Sequence, residues 1–196
     1  MAEREVSPAR LESISDGVIA VIITIMVLEL RPPHDARPQA LLQLWPGFLS
    51  YLISFVFVAI YWVNHRYLFR HLRAVDDRIL WSNMALLFVL SLIPFGAAYM
   101  GQNGLPPFAV AFDAGIMASC GLAFWALRSA IAQHIHDPDE LATFNYGRAK
   151  VINAVAVATY ALAIPAAYIH PLLSLAMNLA ISILYMTPLA RPDRAA

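Results

Sequence analysis

Residues 10–30 read Arg10-Leu11-Glu12-Ser13-Ile14-Ser15-Asp16-Gly17-Val18-Ile19-Ala20-Val21-Ile22-Ile23-Thr24-Ile25-Met26-Val27-Leu28-Glu29-Leu30. From Gly17 to Leu28 the sole polar side chain is Thr24. An arginine, a serine and an aspartate stand immediately ahead of this apolar run. Holding an Arg or Asp at the centre of a bilayer costs about 2.5–3.5 kcal/mol each on the insertion scale. Polar groups at the foot of such a helix therefore face protein or water, and Asp16 in particular needs a donor.

The composition agrees with a membrane setting. The 196 residues are 60% hydrophobic and 13% charged, against about 25% charged in soluble domains, and the mean hydropathy is +0.63. This is the profile of an all-α protein that crosses the membrane several times. A net charge of zero gives no bulk attraction to nucleic acid. One cysteine, Cys120, excludes an internal disulfide and a multi-cysteine metal site, and its apolar surroundings suit a small buried hydrophobe. The first apolar stretch is not expected to be a cleaved signal, because Arg31-Pro32-Pro33 follows it in place of a small-residue cleavage site.

A spanning helix needs roughly 20 mostly apolar residues. Stretches at about 13–30, 46–66, 79–100, 106–127, 150–168 and 171–190 satisfy this, making one six-helix domain over residues 1–196. Pro32, Pro33, Asp35 and Pro38 interrupt the chain after the first span. Residues 101–107 (Gly-Gln-Asn-Gly-Leu-Pro-Pro) read as a tight turn, and His170-Pro171 as another. Pro94, Pro165 and Pro188 are expected to bend or end helices. The longest polar connection runs from about Arg128 to Arg148. If all six stretches cross, eleven of the 13 cationic residues fall on one side: Arg4, Arg10, Arg66, Arg70, Arg73, Arg78, Arg128, Arg148, Lys150, Arg191 and Arg194. Arg31 and Arg37 fall on the other. Positive charge stays cytoplasmic, so both termini are expected inside.

Val21, Thr24 or Ile25, and Leu28 share a helical stripe. Such stripes are ordinarily packing surfaces, a pore lining being the sharper alternative, and Thr24 can satisfy itself on a carbonyl of the preceding turn. For Asp16 the donors recur elsewhere: Trp62, Asn64, His65 and Arg66 at the end of the second span, and Asn83 near the start of the third. The charge topology puts all of them level with Arg10 and Asp16, as a polar cluster joining three spans. A structural clamp that orients the first helix is the plainer reading of it, a catalytic set the alternative. Trp62 and Trp81 also suit interfacial anchors. His134 and His136, two residues apart, do not share a helix face, so a solvated loop is preferred over a metal site. Glu29 either draws cations to a mouth or reaches to water. Phosphate-loop, zinc-protease and serine-hydrolase signatures are missing, and so is the carbonyl filter of ordinary potassium channels; the nearest letters, Asn145-Tyr146-Gly147-Arg148, sit in the polar connection.

These residues resemble the prokaryotic transmembrane protein 175 family, relatives of the lysosomal potassium channel. The family hallmark, Arg-x3-Phe-Ser-Asp-x3-Ala, is matched by Arg10, Ser15, Asp16 and Ala20, with Ile14 where the hallmark has phenylalanine; an aromatic anchor is lost but no polar group. The likeness continues through Tyr61-Trp62-Val63-Asn64-His65-Arg66, Trp81-Ser82-Asn83 and Ser91-Leu92-Ile93-Pro94-Phe95. The last three spans match in length and hydropathy alone. The resemblance implies a homotetramer of six-helix subunits in the plasma membrane, with the first helix of each lining a pore. By position Val21 is the main hydrophobic constriction, with Thr24 and Leu28 beyond it and Ile25 close to the same face. Arg10, Ser15, Asp16, Trp62, His65 and Asn83 form the polar network behind it. The implied activity is passage of potassium with moderate selectivity over sodium. No cofactor beyond the permeant ion and no partner beyond lipid, monovalent cations and further copies of the chain are expected.

Three other activities compete. A proton channel fits because animal relatives leak protons and an unperturbed histidine, as His65 could be, titrates near neutral pH. A secondary transporter favours broken helices and midplane polar groups, which look sparse in this sequence. An intramembrane enzyme would use Asp16, His65 and Asn83, but neither nucleophile nor metal accompanies them.

Overall fold

A computed structural model describes residues 7–144 and 146–186, all helix and short connection. Arg4, Asn145, Pro188, Arg191 and Arg194 lie outside the described residues. In chain order the helices are α1 Pro8–Leu28, α2 Pro38–Leu42, α3 Trp45–Phe69, α4 Asp77–Leu90, α5 Ile93–Gln102, α6 Pro107–Ala132, α7 Pro138–Thr143, α8 Tyr146–Ile169 and α9 Pro171–Met186. Five stretches are long and apolar enough to cross a membrane: α1, α3, α4 with α5, α6 and most of α8. The described part of α9 is apolar but shorter; the sixth expected span runs on to residue 190.

Proline starts more helices than it stops. Pro8, Pro38, Pro46, Pro94 and Pro107 occupy the first turn of α1, α2, α3, α5 and α6. There the missing N–H would have had no intrahelical acceptor, and the fixed φ already suits a helix. Pro94 explains the interruption of the third span: it cannot donate to the carbonyl of Leu90, so α4 stops there and α5 restarts at Ile93. Pro165, by contrast, lies inside α8, which runs through it. Asp76 caps α4 by accepting the N–H of Ile79 at 2.7 Å. The turn after α5 closes with Gly104 at φ +75° and Leu105 at φ +61°, the Leu105 N–H reaching the Met100 carbonyl at 2.9 Å. Several hydroxyls within spans bond back to their own helix, as Ser50 does to Pro46 O and Ser119 to Gly115 O, both at 2.8 Å. With no water in the hydrocarbon, this local bond removes the cost of a bare hydroxyl.

The core centres on α6, which packs on α4, α5, α8 and α9, while α3 lies between α1 and α9. Buried Val110, Ala114, Met117, Leu127 and Ile131 form the spine of α6. α1 sits at the edge, with 28% of its apolar window buried against 56% for α6. Its buried side is Leu11, Ser15, Ile19, Ile22 and Met26, set against α3, α4 and α5.

The expected loop from Arg128 to Arg148 is largely helical. α6 continues to Ala132 because Arg128 is buried, its guanidinium donating to the Phe144 carbonyl at 2.8 Å and lying 4.5 Å over that ring. Arg73 meets Glu140 at 2.7 Å and His134 meets Asp76 at 3.3 Å, which staples this segment to the α3–α4 turn.

Where α3 and α5 cross, backbones touch: a Cβ on Gly101 would lie 2.9 Å from the Gly47 Cα and 3.1 Å from the Ser50 hydroxyl. Small residues allow such close approach in apolar solvent. Gly101→Ala is therefore expected to lower stability by about 1–3 kcal/mol. Gly115→Ala, whose Cβ meets nothing within 4 Å, should be neutral or gain up to about 1 kcal/mol. Thermal unfolding midpoints of the two variants in detergent check this.

Candidate functional site

One chain of hydrogen bonds ties α1, α3 and α4 together. The Ser15 hydroxyl gives its proton to the Leu11 carbonyl at 2.8 Å, so toward Asn83 it acts as an acceptor. The Asn83 amide accordingly turns its NH2 to Ser15, at 2.9 Å, and its oxygen to His65 Nε2, at 2.8 Å. That oxygen accepts, so the proton of His65 resides on Nε2. The imidazole stacks on Phe69 with ring centres 4.1 Å apart, and Nδ1 is buried without a partner among the described residues. Ser15, His65 and Asn83 are each fully buried. Three polar residues from distant parts of the sequence thus satisfy one another inside an apolar contact, which fixes the rotation of α1.

Beside this chain the indole N–H of Trp62 donates to Asp16 Oδ1 at 2.9 Å, and the Arg66 guanidinium lies 5.3 Å over the same indole. Asp16 is half-buried and Trp62 partly exposed. Two residues of the expected cluster stay apart from it. The Arg10 side chain is exposed and pairs with none of the others among the described residues, and Asn64 bonds to the Ile60 carbonyl of its own helix. Trp81 is 71% exposed and also stands apart. His134 and His136 are engaged separately, His134 by Asp76 and by the Ala130 carbonyl, His136 by the His134 carbonyl.

With one side of α1 locked, the opposite side is open. Arg10, Ile14, Gly17, Val21, Thr24 and Leu28 recur at alternating intervals of four and three, all exposed, with Ile25 beside them. Val21 is 54%, Ile25 43% and Leu28 75% exposed. This is the 3.5-residue spacing of a seam between helices. Thr24 donates its only hydroxyl proton to the Val21 carbonyl at 2.9 Å, so lone pairs are what it presents outward. A groove of about 640 Å³ runs along this side, with Ile14, Val21 and Ile25 on one bank and Ser91, Pro94 and Phe95 on the other. It ends at Glu29, whose carboxylate and carbonyl accept from the Gln102 amide at 3.3 and 3.4 Å. In the loop beyond, Arg37 bridges Asp35 at 2.6 Å and holds that carboxyl below its ordinary range by side-chain and backbone hydrogen bonds.

Sequence reasoning passed over the deepest polar residues. Asp113 of α6 is fully buried with neither carboxyl oxygen partnered among the described residues. Ser174, Asn178 and Ser182 line one buried stripe of α9, and Asn153 of α8 donates to the Gly121 carbonyl at 3.2 Å. The i, i+4, i+8 spacing in α9 and the isolation of Asp113 between apolar neighbours were the available signals. The interior of the bundle is thus more polar than the hydropathy pattern implies.

Asn83 is the one residue touching both partners of the buried chain. Asn83→Leu strands the His65 Nε2–H and removes the donor to the Ser15 oxygen, and is expected to cost about 1–3 kcal/mol. Trp62→Phe removes a bond at a partly exposed position and is expected to cost no more than about 1 kcal/mol. Thermal midpoints of the two purified variants check the ordering.

The family model described as endosomal/lysosomal potassium channel TMEM175 matches residues 10–94, which includes every residue of both hydrogen-bonded groups. A potassium channel of Chryseobacterium sp. (strain P1-3) is 33% identical over 187 residues, 95% of this chain and 96% of that one. The human endosomal/lysosomal proton channel TMEM175 is 34% identical over 112 residues, 51% of this chain and 20% of that one. The crystal structure of a lysosomal potassium-selective channel TMEM175 homolog from Chamaesiphon minutus superposes with a TM-score of 0.78 at 26% identity, covering 95% of this chain and 98% of that one. A shared fold, a relative alike over nearly its whole length and the coincidence of the family's stretch with the polar groups behind α1 establish that this membrane protein belongs to the TMEM175 family, alongside its prokaryotic members.

Proposed function

We propose that the chain is a potassium-permeable cation channel of the plasma membrane, a homotetramer of six-span subunits whose α1 helices line the pore. Both termini are cytoplasmic. The observation that carries this reading is the open side of α1: regularly spaced, mostly apolar and uncovered by the subunit, while its opposite side is bonded internally. A lipid-facing helix would not need its rotation fixed by three buried polar residues. The potassium channels among the prokaryotic relatives support the same conclusion.

In this reading Val21 forms the constriction, Thr24 and Leu28 line the pore beyond it, and Ile25 flanks them. Four valine side chains offer no oxygen to replace a hydration shell, so an ion passes partly hydrated and loses water at a cost. Potassium holds its water less tightly than sodium and pays less, which gives moderate selectivity, weaker than a cage of carbonyls. The Thr24 lone pairs supply a ring of acceptors for the water that the ion keeps. Ser15, Asn83 and His65, with Asp16 and Trp62, hold the pore helices in rotation, while Arg10 stands free at the cytoplasmic mouth. Lipid, monovalent cations and three further copies of the chain are its partners; it takes no cofactor and no nucleic acid.

Proton conduction is the second reading, favoured by the animal relatives named as proton channels. His65 is a poor carrier for it, since its ring is fully buried behind α1 with Nε2 committed to Asn83. A secondary transporter shares the broken α4–α5 helix, but the buried polar groups of α6 and α9 lie away from the open side of α1.

Reversal potentials in planar bilayers, with potassium chloride opposite sodium chloride, test the proposal. Wild type is expected to favour potassium. Val21→Ala should lower the permeability ratio about threefold, a difference of about 0.6 kcal/mol, and Val21→Leu should raise it. Equal ratios in all three would remove the constriction from Val21, and silent but well-assembled tetramers would remove the channel.

A further inference from the structure

Asp113 lies two turns inside α6, counted from the end near Gln102 and Glu29. Its side chain is fully buried and faces α5, so closely that a Cβ on Gly96 would lie 2.5 Å from Oδ1 and 3.0 Å from Ile116 Cδ1. Gly96 is needed there because any larger residue would occupy the space of the carboxyl. Neither oxygen has a hydrogen-bond partner among the described residues. Over the same α5–α6 seam Phe95, Tyr99, Phe108 and Phe112 form a continuous aromatic cluster, ring centres 6.0 to 6.5 Å apart.

We infer that Asp113 is a proton-binding site, separate from the open side of α1. A carboxylate packed against Gly96 and beside Ile116 has no cation and no hydrogen-bond donor among the described residues to stabilise its charge, and protonation removes that cost. A metal ion is a poorer occupant, since it would exchange a full hydration shell for two oxygens among carbon. The fold gains no bond from the group, and an ionisable residue kept at such depth is by default functional. The other titratable groups near the seam are neutral hydrogen-bonding or thiol side chains: Tyr99 on α5, which meets Phe112 edge-on, Cys120 two turns along α6, and Tyr160 on α8 near Cys120. α4 carries its charges, Asp77 and Arg78, at its opposite end, and Tyr185 of α9 lies toward Asn153. The proton equilibrates with the bath when the α5–α6 seam opens. Because α5 contributes Pro94 and Phe95 to the bank facing Val21 and Ile25, occupancy of Asp113 bears on the wall beside α1.

Infrared spectroscopy of the full chain in lipid, with and without Asp113→Asn, tests the site. The expected result is a carbonyl stretch of a protonated, unbonded carboxyl at neutral pH that exchanges in D2O, disappears in alkaline buffer and is absent from D113N. Because a neutral acid and an amide share shape and charge, D113N should also unfold within a few degrees of wild type. If D113N fails to fold, carbon-13 labelling of aspartate in wild type assigns the same band, Asp113 being the fully buried aspartate among the described residues. No such band, or one that neither exchanges nor titrates, would overturn the site. None of these readouts depends on ion current, so they stand apart from the test of the channel.

Discussion

Hydrocarbon offers a polar side chain nothing to bond to, and the hydrogen-bonded series Ser15–Asn83–His65 is this protein's answer to that constraint at its most consequential point. Each member uses a group the next one lacks: Ser15 has spent its proton on Leu11, Asn83 supplies both a donor and an acceptor, and His65 supplies the remaining N–H. Turning α1 by a single residue, about 100°, would carry Ser15 away from Asn83 and replace it with Ile14 or Asp16. The first leaves the Asn83 amide unpaired, at a cost of about 1–3 kcal/mol, and the second buries a carboxylate and breaks its bond to Trp62. The rotation of α1 is therefore set by directional bonds, where a purely apolar contact between helices would leave it loosely determined.

The same constraint governs the backbone. Many helices begin at prolines, where an absent N–H costs nothing, and hydroxyls such as those of Ser50 and Ser119 return to carbonyls of their own turn, although Ser54 and Ser174 find no partner among the described residues. The interruption between α4 and α5 falls at Pro94, inside a span and close to the unpartnered Asp113. There α5 also supplies Phe95 to the groove beside α1. The irregular segment thus touches two different polar problems, one on each side of a short helix.

Much of this was legible in the sequence because it depends on local chemistry. Apolar run length locates α1, α3 and α6, and the family motif brings out Ser15, Asp16, Trp62, His65 and Asn83 together. What escaped is what depends on tertiary contact. The segment after Arg128 looked like a polar loop because its charges satisfy one another across helices, Glu140 with Arg73 and His134 with Asp76, which no one-dimensional window sees. Asp113 escaped for the converse reason. It lies inside the span expected at 106–127, where its apolar neighbours outweigh one charge in any hydropathy window, and its complete burial against α5 depends on tertiary packing.

Comparing the acids along the bundle sharpens the argument about conduction. Asp16 is met by a neutral indole N–H, with Arg66 stacked on the far side of the ring; Glu29 is met by an amide. Glu29 caps the end of α1, and Asp16 lies just over two turns inside its start. Between them the open side carries Gly17, Ala20, Val21, Thr24, Ile25 and Leu28, without a fixed charge and with one hydroxyl whose proton is already used. A tetramer built around this helix would place charge at its two mouths and none at its neck. In the proposed tetramer Asp16 and Glu29 would draw cations and the exposed Arg10 would oppose them at the cytoplasmic mouth, so charge sign would be weighed at the mouths. The proposed neck would then discriminate only by how readily each cation gives up water. In that tetramer the two tasks would be divided along one helix, and the directional bonds on its other side would keep the division in register.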